Sequence, residues 1–223
     1  MMEERPVSVS AGPVELEGNL SVPENARGVV LFAHGSGSGR HSPRNRYVAG
    51  VLREAGLATL LIDLLTPDEE VVDLRTGHLR FDIRLLAQRL AGATDWLMAN
   101  PDTRYLRIGY FGASTGAGGA LVAAARRPQG VGAIVSRGGR PDLAGDALPL
   151  VDAPTLLIVG GDDVPVIGMN REAFAQMRAE KRLEIIPGAT HLFEEPGALE
   201  EVARLAADWF VRHLHRDSGS GAH

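Results

Sequence analysis

The chain has 223 residues, of which 44% are hydrophobic and 23% charged, with a formal net charge of −5. That composition excludes a disordered chain, and the acidic balance gives no electrostatic reason to expect nucleic acid as a partner. No cysteine is present, which excludes disulfides, thiolate metal sites and a thiol nucleophile.

The N-terminus, Met1-Met2-Glu3-Glu4-Arg5-Pro6, lacks the basic start and apolar run of a signal peptide. No apolar stretch reaches the roughly 18 residues needed to cross a bilayer. The expectation is a soluble, cytoplasmic protein with no membrane partner. Two β-prone segments, residues 7–10 and 14–22, flank Ala11-Gly12-Pro13 and predict an antiparallel edge hairpin. Beyond Gly28, short apolar runs alternate with longer amphipathic stretches. The runs cover residues 29–33, 58–62, 106–111, 131–135, 155–159 and 183–186. Their Val, Ile and Leu content is that of parallel strands buried on both faces. Helices are predicted over 45–55, 81–99, 115–127, 166–179 and 197–214. In the last of these Val202, Leu205, Trp209 and Phe210 give one apolar face. Such alternation predicts a doubly wound, mostly parallel α/β sheet.

Residues 64–79, with Asp68-Glu69-Glu70, are the least regular internal stretch and read as a solvated loop, with a mobile rim over a site as the other reading. No linker or repeat divides the chain, so residues 1–217 read as one domain. Residues 218–223 (Ser-Gly-Ser-Gly-Ala-His) read as a flexible tail.

Chemistry concentrates at three strand ends. Gly112-Ala113-Ser114-Thr115-Gly116 follows one predicted strand and opens an alanine-rich helix. A strand-to-helix turn this tight exposes the serine hydroxyl at the sheet edge and leaves no room for side chains two residues away on either side, hence the two glycines. The helix N-terminus aims N–H groups at a reacting carbonyl. A serine needs a base, and the base an orienting acid. Downstream, Gly160-Gly161-Asp162-Asp163 ends the next-but-one strand, and Pro187-Gly188-Ala189-Thr190-His191 follows the one after it. Serine, acid and histidine thus fall after three strands in the order this fold requires. Asp163 is preferred as the acid, with Asp162 and the more distant Asp142 as alternatives. The remaining element is the loop His34-Gly35-Ser36-Gly37-Ser38-Gly39. Its glycines let backbone approach a ligand oxygen, so an N–H near Ser36 joins that of Thr115 as a pair of oxyanion donors, with Gly35 beside them. His34 reads as a packing residue that shapes this loop. Arg40, His41, Arg44 and Arg46 read as the solvated start of a helix, or as a pocket mouth favouring an anion.

On these residues the sequence resembles the α/β-hydrolase superfamily, most closely its small dienelactone hydrolase-like branch, from about Val14 to Leu214. The resemblance implies a core without a large cap, Ser114 as nucleophile, His191 as general base and Asp163 as orienting acid. The sequence holds no H-E-x-x-H or cysteine-histidine set, and a serine triad needs neither metal nor cofactor, so none is expected. Dienelactone hydrolases proper carry cysteine at the elbow where this chain has Ser114, which points to general carboxylester hydrolysis of a small-molecule substrate. Two rival readings stand beside it. Gly112-x-x-x-Gly116-x-Gly118 also fits a nucleotide-binding turn, and a catalytically silent ligand-binding member is the third possibility.

Overall fold

Apolar runs long enough only for strands, set between helical segments with a single apolar face, assemble into one eight-stranded sheet in the computed structural model. The structure describes residues 4–35 and 37–215. Strands β1 (Arg5–Ala11) and β2 (Val14–Ser21) form the antiparallel hairpin. They are followed by β3 (Gly28–Ala33), β4 (Ala58–Ile62), β5 (Arg107–Ala113), β6 (Ala133–Arg137), β7 (Thr155–Gly160) and β8 (Lys181–Ile186). The order across the sheet is β1-β2-β4-β3-β5-β6-β7-β8, with β3 to β8 mutually parallel and β2 antiparallel to β4. Every residue of β3, β4 and β7 is buried, as the uninterrupted apolar runs require.

The described residues form six α-helices, α1 (Pro43–Glu54), α2 (Pro67–Thr76), α3 (Ile83–Ala99), α4 (Thr115–Ala125), α5 (Val164–Gln176) and α6 (Ala198–Leu214), and all but α2 pack on the faces of the sheet. Leu86, Leu90 and Leu97 of α3 and Leu121 of α4 pack on one face. Val48 and Leu52 of α1 pack with Val202, Trp209 and Phe210 of α6 on the other. The chain runs from β3 out to β4, then returns past β3 to β5. That reversal opens a crevice at the carboxyl ends of β3 and β5, where open α/β sheets place their ligands.

The stretch expected as a loop, residues 64–79, instead contains α2. Thr66 Oγ1 accepts the Glu69 N–H (3.3 Å) while the Glu69 carboxylate accepts the Thr66 N–H (2.9 Å), with Pro67 in the first turn and Gly77 at φ 66° closing the helix. Its apolar residues Val71, Val72 and Leu74 are exposed and its one buried residue is Asp73, so no hydrophobic stripe marked it. After β6 comes a short run of 3₁₀ turns, Pro141–Leu150, broken at Gly145, and no large cap is evident. Among the described residues, no helix is long and apolar enough to cross a membrane. The tail 218–223 lies outside them.

Gly92, mid-way along α3, sits against β1 so closely that a Cβ there would lie 2.5 Å from Ala11 Cα. Alanine is the better helix former by about 1 kcal/mol, but a collision with backbone costs more than that gain. Gly92→Ala is expected to lower stability by about 1–2 kcal/mol net, read as a lower urea midpoint at unchanged slope.

Candidate active site

Ser114 stands between β5 and α4 at φ 49°, ψ −124°. A side chain in that region costs about 1–3 kcal/mol and persists only where its surroundings over-determine it. Here they do. The Ser114 carbonyl accepts the N–H groups of Ala117 (3.1 Å) and Arg140 (3.0 Å), and its own N–H reaches the Arg137 carbonyl (3.4 Å). Both flanking glycines are needed: a Cβ on Gly112 would lie 2.5 Å from Ala117 Cα, and one on Gly116 would lie 2.2 Å from the Ala33 carbonyl oxygen. Gly35 is packed the same way, its hypothetical Cβ 2.8 Å from Ser114 Cβ, so the loop after β3 runs directly against the serine.

That loop is tied to the end of β4. His34 Nε2 accepts the Leu64 N–H (2.9 Å), which fixes the proton on Nδ1, where it donates to the Gly35 carbonyl (3.0 Å). Burial holds the imidazole below its usual pKa and therefore neutral. Both ring nitrogens are committed to backbone, as a loop-shaping residue requires. Arg40 anchors the far end, its N–H 2.7 Å from Asp63 Oδ1 and its guanidinium paired with Asp63 and Glu17. Ser36, the expected second oxyanion donor, lies outside the described residues. Thr115 is buried as the first residue of α4, at the head of the helix behind Ser114.

The acid and the histidine arrive on neighbouring strands. Asp163, 13% exposed, follows β7 and places Oδ2 2.7 Å from Nδ1 of His191, which follows β8. Asp162 is exposed, its N–H bonded to the Ala189 carbonyl, and Asp142 pairs with Arg140. Glycine again makes the approach possible: Gly138, at φ 51°, would carry a Cβ 3.1 Å from the His191 carbonyl oxygen and 3.5 Å from its ring Cε1. The ring therefore lies over the end of β6, next to the strand whose end carries Ser114. Phe193, buried at φ 55°, locks the turn that presents it.

Beside Gly35 and Thr115 opens a cavity of about 110 Å³ lined further by Leu65, Leu74, Leu86 and Arg80. It is small against the roughly 300–1,000 Å³ of drug-sized sites. Asp73, the buried residue of α2, accepts the N–H groups of Leu79 (2.8 Å) and Arg80 (3.1 Å) and the Arg80 Nε. It thereby sets the position of Arg80 on the cavity wall. Neither residue stood out in the sequence; the Thr66-x-x-Glu69 capping box was the available signal for the helix that holds Asp73.

A model of the dienelactone hydrolase family matches residues 17–215. The chain belongs to that family. Among solved structures, a dienelactone hydrolase from Anabaena variabilis ATCC 29413 is 69% identical, with a TM-score of 0.95 over 96% of this chain and 99% of its own. Est1E from Butyrivibrio proteoclasticus shares the fold at 16% identity and a TM-score of 0.78, covering 93% of this chain and 98% of its own. Proteins from two Mycobacterium tuberculosis strains that carry the name of a phosphoribosyl transferase are 60% identical over 220 residues, which is 99% of this chain and 49% of theirs. The chain thus spans about half the length of those curated relatives.

Proposed function

We propose that this chain hydrolyses carboxylic esters of small substrates through an acyl-enzyme on Ser114. The conformation of Ser114 carries the reading: a strained serine, boxed in by Gly35, Gly112 and Gly116, is the feature that a nucleophile needs and that packing alone has no use for. Asp163 accepts the Nδ1 proton of His191 and leaves Nε2 as the base. Ser114 Oγ attacks the ester carbonyl carbon as its proton passes to Nε2. The carbonyl electron pair moves onto oxygen, against the Thr115 N–H and, by the sequence assignment, that of Ser36. Collapse of this intermediate breaks the bond to the alcohol, which leaves with the proton from Nε2. Water, activated by the same nitrogen, then releases the acid. The 110 Å³ cavity favours short acyl groups.

The nucleotide-binding reading has less support, because its glycines are occupied by the protein itself. Gly112 and Gly116 face Ala117 and the Ala33 carbonyl, and a Cβ on Gly118 would lie 3.1 Å from the Arg140 carbonyl oxygen. Treatment with a fluorophosphonate followed by peptide mass spectrometry is expected to place the adduct on Ser114 and to abolish ester turnover. Full turnover with Ser114 unmodified overturns the proposal.

A further inference from the structure

Among the described residues, a buried cation with no buried counter-charge sits beside this site. Arg137 ends β6 with 7% exposure, on the sheet face covered by α1 and α6. Its one side-chain hydrogen bond among the described residues runs from a terminal nitrogen to Asn45 Oδ1 (3.2 Å); its Nε is buried without a partner. The charge that acts on it is a second guanidinium, that of Arg44, whose Nε is likewise buried without a partner. The acidic group facing the pair is Glu194, 64% exposed and 3.4 Å from one Arg44 nitrogen. Burial and the Arg44 charge draw the Arg137 pKa down to about 10, so the group remains a cation at neutral pH.

Burying a guanidinium against a second cation costs several kcal/mol unless an anion shares the space. Arg44 and Asn45 also stand in the first turn of α1, where the positive end of the helix dipole adds to the two side chains. Two forked donor groups and a helix N-terminus, opposed by one exposed carboxylate, match the charge and the several acceptor oxygens of a phosphate dianion better than a single carboxylate. We propose that Arg137, Arg44 and Asn45 form a binding site for a phosphate group on the α1 side of the sheet, next to the His191 loop. This does not depend on the hydrolytic reading, since it uses none of Ser114, Asp163 or His191.

The test compares melting of the full chain in inorganic phosphate, in phenyl phosphate and in chloride at equal ionic strength, for the parent, Arg137→Met and Arg44→Met, with calorimetric titration of the same three proteins. A phosphate concentration near a hundred times Kd is expected to raise the parent Tm by about 5–10 °C above the chloride control. Arg137→Met is expected to melt at or above the parent without phosphate, because it removes an uncompensated buried charge, and to bind phosphate at least tenfold more weakly. Arg44→Met, partly exposed and safe to fold, is expected to lose most of the same response. The arm with the lower Kd separates free from esterified phosphate, and binding in either supports the site. A parent that responds no more to phosphate than to chloride, or a response retained in both variants, overturns it.

Discussion

Ser114→Ala is expected to lower ester hydrolysis by about 10⁴- to 10⁶-fold with no loss of fold. The substitution removes Oγ alone and keeps the Cβ that already fits against Gly35, so no contact of the backbone cage around residue 114 changes. What remains of the rate comes from the α4 N-terminus and from binding, neither of which involves the hydroxyl. Ser114→Gly sharpens the result. Glycine enters the φ 49°, ψ −124° region without the Cβ penalty, so this variant is expected to be equally inactive yet more stable by about 1 kcal/mol. Higher stability with lost turnover is what strain maintained for reactivity produces. Turnover within tenfold of the parent in either variant, with circular dichroism unchanged, refutes the role of Ser114.

Asp163→Asn is expected to lower kcat by about 10⁴-fold, with little change in KM. An amide in place of the carboxylate presents its NH₂ to His191 Nδ1, which moves the imidazole proton to Nε2 and removes the base, and it forfeits stabilisation of the imidazolium. The 2.7 Å contact belongs to Asp163 Oδ2. Asp162→Asn is therefore expected to stay within a fewfold of the parent, because its side chain points to solvent and its backbone bond to Ala189 is untouched by the change. Equal losses in the two variants, or the larger loss at Asp162, reassign the acid.

The sheet was legible because parallel strands buried on both faces leave unbroken apolar runs, and residues 58–62 match β4 to the residue. The candidate serine, acid and histidine stood out because each follows a predicted strand in a fixed chain order, and the structure brings two of them, Asp163 and His191, to 2.7 Å. Helix α2 was not, since its polar Asp73 points inward while Val71, Val72 and Leu74 point outward, the inverse of the pattern that periodicity detects. Arg137 escaped for a related reason: an arginine at the end of an apolar run reads as the place where a strand meets water, yet here it is buried and bonded to Asn45 of α1. Gly138 reads along the chain as turn punctuation, although its positive φ and lack of a side chain admit His191 to the end of β6. These are facts of tertiary approach, which one-dimensional spacing does not encode.

β8 is an outer strand, hydrogen-bonded on one side to β7, and its Lys181, Arg182 and Glu184 guard the open edge against pairing with other chains. His191 hangs from that strand, whereas Ser114 hangs from the centre of the sheet. The free energy that keeps the candidate catalytic groups together is thus the opening energy of one edge, which native-state exchange is expected to place below that of whole-molecule unfolding. Lys181 strengthens this weak side, its ammonium bonded to the carbonyls of Phe174 (2.7 Å) and Met177 (2.6 Å) at the end of α5. The working range of the molecule is set by the endurance of its margin rather than of its core.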